Sequence, residues 1–142
     1  MARITYWAVL ERGEDGGFGV FFPDLDGCIT IGDTAADAAE NAREALSLHL
    51  EAMEEAGQEL PTSRDLQELK ADVERDTALN IEAYLLVWAD THAGERVNVY
   101  LPRGLLERVD RFVSAAGMNR SSFFGLAARR MLDQEKELKH CR

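Results

Sequence analysis

A strictly alternating segment near residue 100 constrains the fold more than any other feature of the sequence. Between residues 95 and 102, aliphatic and polar side chains fall on opposite faces of a predicted β-strand. The aliphatic face holds Val97, Val99 and Leu101, and the polar face holds Arg96, Asn98 and Tyr100. A lone strand leaves backbone donors and acceptors unpaired on both edges. We therefore expect this strand to pair with the same strand of a second copy.

Two amphipathic helices are predicted after this strand. Pro102 precedes the first helix, which ends at Gly117, and Asn119 is placed to cap the second. Strand, helix, tight turn and helix together predict a ribbon-helix-helix domain over residues 95–142. Roughly 45 residues bury too little surface alone. A homodimer, or a higher even number of chains, is the expected assembly.

A two-stranded antiparallel ribbon fits the major groove of B-DNA. Its outer face would present Arg96, Asn98 and Tyr100 to base edges, since Arg suits guanine and Asn suits adenine. The start of the second helix would hold a DNA phosphate through backbone N–H groups near Asn119, Arg120 and Ser121. The alternative is an ordinary solvated strand face followed by an ordinary helix cap.

The distribution of charge supports two functional halves. The net charge of −10 combines −14 in residues 1–94 with +4 in residues 95–142. An acidic body and a basic C-terminal part suggest two oppositely charged partners. A solubilising acidic surface is the alternative explanation for the first half.

The first 90 residues predict a small α+β domain of order β-β-β-α-(α)-β. Strands are expected at residues 4–10, 18–22 and 28–31, joined by short turns into an antiparallel meander. Thr34 and Asp37 have capping-box spacing at the start of a long helix that ends at Gly57. Ser63 would cap a weaker second helix. The apolar strand at residues 81–89 is expected to lie parallel to an earlier strand, after a right-handed crossover.

No catalytic or metal-binding constellation is found. Cys28 and Cys141 cannot form a disulfide framework or a four-thiolate zinc site, and we predict no cofactor and no metal. His49 lies on the apolar stripe of the long helix, which favours a packed histidine over a ligand. No leader pattern and no membrane-length apolar run are present, so a cytosolic protein is the default expectation.

Three groups of residues in the N-terminal half resemble the HicB family of antitoxins. They are Tyr6-Trp7-Ala8-Val9, the run from Gly19 to Cys28 (G-V-F-F-P-D-L-D-G-C), and Gly32-Asp33-Thr34 before an alanine-rich helix. The resemblance implies a partial ribonuclease-H-like domain over residues 1–90 followed by the ribbon-helix-helix domain. It also implies a cytoplasmic antitoxin that masks a HicA-type, RNA-cleaving toxin and represses its own operon.

The resemblance further implies that the ribonuclease-like domain is inactive. No carboxylate stands between Ile4 and Leu10, where such a nuclease would place a metal-binding aspartate. The candidate toxin contacts are aromatic and acidic residues, since aromatics anchor interfaces and acids pair with a basic partner. They are Phe18, Phe21, Phe22, Asp24 and Asp26, for which core packing and turn formation are the alternatives.

Two other functions remain open from the sequence. One is a stand-alone ribbon-helix-helix transcriptional regulator whose N-terminal domain senses a small molecule. The other is a metal-dependent nuclease that uses Asp24, Asp26 or Glu40. A gene neighbourhood without a small basic partner would favour the first, and magnesium-dependent RNA cleavage would favour the second.

Overall fold

The protein is an α+β fold with a four-stranded antiparallel sheet and four helices in the described residues. The structure, a computed structural model, describes residues 3–90 and 95–140. The strands and helices follow in the order β1 Arg3–Arg12, β2 Phe18–Phe21, β3 Ile29–Gly32, α1 Ala35–Glu55, α2 Leu66–Val73, β4 Ile81–Asp90, α3 Arg103–Ala116 and α4 Arg120–His140. The strand order in the sheet is β3-β2-β1-β4. The predicted order β-β-β-α-α-β is thus confirmed for the N-terminal half, including the three-stranded meander.

The predicted direction of the last strand is wrong. β4 runs antiparallel to β1, with Arg3 opposite Asp90 and Leu10 opposite Ala83. The direction of β4 is set by the path of residues 56–80 between α1 and the sheet. This segment places α2 against the face of the sheet that α1 does not cover, and it brings the chain back to the end where β1 finishes. The backbone N–H of Arg12 accordingly donates to the carbonyl of Asn80.

α1 covers one face of the sheet and forms the main core with it. The Thr34 hydroxyl accepts a hydrogen bond from the N–H of Asp37 at 3.1 Å, which confirms the predicted start of the helix. Alanine and leucine side chains of α1 pack between the helix and the strands. The core comprises Tyr6, Ala8, Leu10, Val20, Phe22, Leu25, Cys28, Ala38, Ala42, Leu46, Leu50, Val87 and Ala89.

α2 makes a smaller core on the opposite face. Leu69 and Val73 pack there against Val9 of β1. The N-cap of α2 is Asp65, whose carboxylate accepts from the N–H of Glu68 at 2.9 Å, and the predicted cap Ser63 is wrong by two residues. The Asp65 carboxylate is a better cap than the Ser63 hydroxyl, because an ionised cap also interacts favourably with the helix dipole.

α3 and α4 form a hairpin that rests on the N-terminal half. Gly117 ends α3 in the left-handed conformation (φ 71°), where glycine has no steric penalty. Val109 and Val113 of α3 pack with Met118 and Leu126, and Ile29 of β3 borders this cluster. The strand predicted over residues 96–101 is not formed in the single chain, where these residues have no regular secondary structure. Its predicted partner is the same segment of a second copy, and without a partner the backbone groups of a strand stay unpaired. Residues 91–94, between the two predicted domains, lie outside the described residues.

Candidate functional surfaces

Most of the exposed large hydrophobic side chains in the described residues lie in the C-terminal third of the chain. Eight of the ten large hydrophobic side chains that are exposed in the described residues fall between residues 97 and 132. They are Val97, Val99, Tyr100, Leu105, Phe112, Phe124, Met131 and Leu132. Exposed apolar side chains are typical of interaction surfaces where they lie side by side.

The alternating segment is the most exposed part of that surface. Val97 is 74% exposed and Val99 is 72% exposed, whereas Leu101 is half-buried. Arg96, Asn98 and Tyr100, the predicted base contacts, are all exposed. The guanidinium of Arg96 lies 3.9 Å from the carboxylate of Glu55 on α1.

Two of the three predicted phosphate contacts at the start of α4 are engaged within the chain. Asn119 caps the helix, because its Oδ1 accepts from the N–H of Ser122 at 2.8 Å. Arg120 forms a bidentate ion pair with Asp110 of α3, at 2.7 Å and 2.8 Å. This arginine lowers the pKa of Asp110 through the side-chain hydrogen bonds. Ser121 is exposed.

α4 is fixed to α1 by a contact that sequence reasoning missed. Arg129 forms a bidentate ion pair with Glu44, and its Nη1 lies 3.2 Å from Glu40. A methyl group at Gly125 would lie only 2.5 Å from Cδ1 of Leu48, so the two helices approach closely there. A glycine inside a predicted helix is the one sequence signal for such an approach.

A polar contact extends the same helix pair toward the start of α4. The side-chain amide of Asn119 lies 3.2 Å from Nδ1 of His49, which is buried on α1. Burial lowers the pKa of His49, and the charge of Asp26 opposes that shift. The prediction of a packed histidine agrees with this position.

The five candidate toxin contacts differ in accessibility. Phe18 and Phe21 are half-buried at opposite faces of the sheet, and Phe22 is buried in the main core. The Asp24 side chain is 6% exposed, whereas Asp26 is exposed.

Asp24 is held by an arginine that the sequence did not point to. The backbone N–H of Arg64 donates to Asp24 Oδ2 at 2.9 Å, and its Nε donates to Oδ1 at 2.5 Å. Arg64 also reaches Asp72 of α2 at 3.3 Å. The carboxylate thus fixes the connection between α1 and α2 to the β2–β3 loop.

The described residues contain neither a metal-binding cluster nor a membrane-spanning helix. No group of three or more His, Cys, Asp or Glu side chains among them could hold a metal ion. None of the helices in these residues is both long enough and apolar enough to cross a membrane. Asp24 and Glu40, two of the three carboxylates considered for a nuclease, are paired with arginines.

One family model matches most of the chain. The family model described as "HicB_like antitoxin of bacterial toxin-antitoxin system" matches residues 6–128. The chain is 35% identical to an uncharacterised 14.9 kDa protein of Haemophilus phage HP1, over 91% of this chain and 98% of the phage protein.

Solved structures resemble the fold along most of its length. One is the antitoxin HicB of Burkholderia pseudomallei, with 30% identity, a TM-score of 0.51, and coverage of 88% of this chain and 96% of that one. Another is a chain of a toxin–antitoxin complex from Streptococcus pneumoniae, with 19% identity, a TM-score of 0.52, and coverage of 94% and 99%. At that identity, the second likeness concerns the fold alone.

Proposed function

Since the chain belongs to the HicB-like antitoxin family of bacterial toxin–antitoxin systems, a non-enzymatic family, we propose that it neutralises a HicA-type, mRNA-cleaving toxin and represses its own operon. Neutralisation occurs by steric masking in the cytoplasm, where both the toxin's RNA substrate and the operator are found. Repression depends on a dimer that binds operator DNA through the C-terminal part of the chain.

The exposure of Val97 and Val99 carries the DNA-binding part of this proposal. Two aliphatic side chains on one face of a segment, both more than 70% exposed, are costly in water. Pairing with the same segment of a second copy would bury them and contribute about 1.5–3 kcal/mol for each side chain. The helices α3 and α4 that follow complete a ribbon-helix-helix unit.

The paired segments would present Arg96, Asn98 and Tyr100 twice to the major groove. The N-terminus of α4 would bind a phosphate through its backbone N–H groups, with Ser121 exposed beside them. Asn119 supports this site as the helix cap, while Arg120 would exchange Asp110 for a phosphate. Binding would therefore weaken as the salt concentration rises.

The N-terminal half is proposed as the toxin-binding part. Its net charge of −14 complements a basic protein that binds RNA. Among the candidate contacts, Phe18, Phe21 and Asp26 have accessible surface, and Phe22 and Asp24 would act by holding the β2–β3 loop in place.

Operator binding by the full-length protein tests the DNA-binding part. We expect Asn98→Ala to weaken operator binding by about 1–3 kcal/mol and to relax base preference, because its amide reads adenine. Asn80→Ala, an exposed asparagine in the loop before β4, is the matched control and should leave binding unchanged. Equal affinities of the two variants would overturn the proposed readout.

Co-expression with the adjacent small reading frame tests the toxin-binding part. We expect a non-toxic complex that elutes together, and we expect Asp26→Lys to weaken it by charge repulsion. Glu14→Lys makes the same charge change at the opposite end of the sheet and is the control. Absence of a complex with the wild-type chain would overturn the masking mechanism.

A further inference from the structure

A cleft opens where the β2–β3 loop, the end of α2 and the turn between α3 and α4 meet. Its volume of about 420 Å³ lies within the range of pockets that take a ligand or an anchoring side chain. Its walls include four half-buried apolar side chains, Phe21, Pro23, Ile29 and Leu79. Gly117 also lines the cleft, and a methyl group at Gly27 would lie 3.9 Å from its carbonyl oxygen. The cleft therefore involves both halves of the chain.

The charged side chains that line this cleft are all acidic. They are Asp26, Asp72 and Asp76. Asp72 is paired with Arg64 at 3.3 Å, whereas Asp26 and Asp76 form no ion pair within the described residues. Burial and, after it, the charge of Asp76 raise the pKa of Glu11, as expected where negative charge is not compensated. The cleft thus combines apolar walls with unbalanced negative charge.

From this geometry we propose that the cleft binds a basic segment of the toxin, so that Asp76 and Leu79, which follow α2, belong to the toxin interface. The inference rests on the toxin partner of the proposed function and specifies where in the N-terminal half that partner binds. A lysine or arginine side chain suits the cleft. Its aliphatic part would pack between the apolar walls while its charged group reaches Asp26 and Asp76.

The charge of the cleft favours a basic protein over other occupants. The phosphates of a nucleic acid would be repelled by the carboxylates. A second copy of this chain carries a net charge of −10. The basic part of such a copy, residues 95–142, is engaged in the ribbon and on DNA in the proposed function. A protein that holds RNA, in contrast, needs a basic surface, which these carboxylates complement.

Arg64 holds the two sides of the cleft in a fixed relation. Its Nε donates to Asp24 in the β2–β3 loop at 2.5 Å, and its Nη1 donates to Asp72 of α2 at 3.3 Å. A site that is formed before binding loses little conformational entropy when its partner arrives. Asp24, a candidate toxin contact that is nearly buried, would then act by shaping the cleft.

Asp76→Asn in the full-length protein tests this inference. Asparagine keeps the acceptor for the N–H of Ala78, which lies 3.0 Å from Oδ1 of Asp76, and removes only the charge. We expect the dissociation constant for the protein encoded by the adjacent small reading frame to rise by about three- to tenfold at low salt. The difference from the wild type should shrink as the salt concentration rises.

Asp15→Asn is the matched control. Asp15 accepts from the N–H of Gly17 in the same kind of turn, also at 3.0 Å, and it does not line the cleft. Its variant should bind the toxin as the wild type does. Thermal melting checks that both variants are folded, and if one is not, hydrogen exchange of the wild-type chain decides.

Hydrogen exchange measures the site without any substitution. We expect the toxin to slow exchange in residues 22–28 and 74–79 more than in residues 13–17. Equal affinities of the two variants, or no such slowing, would overturn the inference, while the proposed function stands as long as the wild-type chain forms the complex. Absence of that complex would overturn both. Slowing at the cleft when the free chain is concentrated would identify a second copy as the occupant and also overturn the inference.

Discussion

Asn119 joins the cap of α4 to His49 of α1. Its Oδ1 accepts from the N–H of Ser122 at 2.8 Å, which leaves its Nδ2 to face Nδ1 of His49 at 3.2 Å. A flipped amide would place two donors against each other at the cap. The orientation of Asn119 therefore requires that Nδ1 of His49 accepts a hydrogen bond, which only the neutral ring can do at that atom.

This arrangement predicts a loss of stability in mild acid. Burial lowers the pKa of His49 in the folded protein, so the unfolded chain binds a proton at a higher pH than the folded chain does. The free energy of unfolding should accordingly fall as the pH drops from about 6.5 through the folded pKa. Denaturant unfolding at pH 7.5 and pH 5.5 measures it.

His49→Gln isolates the contribution of this histidine. The glutamine carbonyl can accept the hydrogen bond from Asn119 at both pH values, while the carboxylates of the protein titrate as before. We expect a smaller difference between the two pH values in the variant than in the wild type. Identical differences would show that His49 does not couple protonation to folding.

Gly32 predicts a second effect on stability, at the junction of β3 and α1. A methyl group there would lie 2.8 Å from Cα of Ala38, and backbone atoms cannot move aside as a flexible side chain can. Gly32→Ala should therefore lower the free energy of unfolding by about 1–3 kcal/mol. Gly104→Ala is the control, because a methyl group at Gly104 in α3 meets nothing within 4 Å.

The control should change stability in the opposite direction. Alanine in a helix is favoured over glycine, so we expect Gly104→Ala to be neutral or to stabilise the protein by about 0.4–1 kcal/mol. Both values can be read from urea unfolding curves. Equal stability of Gly32→Ala and the wild type would contradict the close approach of β3 and α1.

The local pattern of the sequence was sufficient to predict the type and order of the elements in the N-terminal half and the two helices α3 and α4. The strand predicted over residues 96–101 is not formed in the single chain. Strand composition, the Thr34 cap and Gly117 each act over a few residues, and each is found where it was predicted. The same holds for Asn119 as the cap of α4. Local signals of this kind depend on backbone conformation and on neighbouring side chains, which the sequence displays directly.

Contacts between residues far apart in the sequence could not be predicted from such local patterns. The direction of β4 depends on where residues 56–80 lead the chain, and the Asp24–Arg64 pair joins residues far apart in the sequence. The Glu44–Arg129 pair also joins residues far apart in the sequence. In the sequence, each of the two has the pattern of an ordinary exposed helix residue. Pairs of this kind form only once the chain has packed, so no local pattern in the sequence selects the partners.

For the candidate surfaces, the sequence predicted which residues would take part but not the contacts that those residues make within the chain. Alternation placed Val97 and Val99 on one face, and their exposure agrees with an unfilled interface. Sequence reasoning could not foresee that Arg120 is already paired with Asp110, because this contact depends on how α3 and α4 pack. Whether these surfaces bind DNA and toxin stays a prediction.

The Arg120–Asp110 pair leads to a prediction about DNA affinity. The two hydrogen bonds, at 2.7 Å and 2.8 Å, keep the guanidinium on α3 and must be exchanged before it can bind a phosphate. Asp110→Asn removes this competition and one negative charge beside the proposed DNA surface. We expect operator binding in a gel shift to strengthen several-fold at low salt.

The salt dependence should also become steeper, because Arg120 is then free for a phosphate contact. Glu107→Gln, an equal change of charge on α3 at an exposed side chain, is the control for general electrostatics. A gain no larger than that of the control would mean that Asp110 does not restrain Arg120.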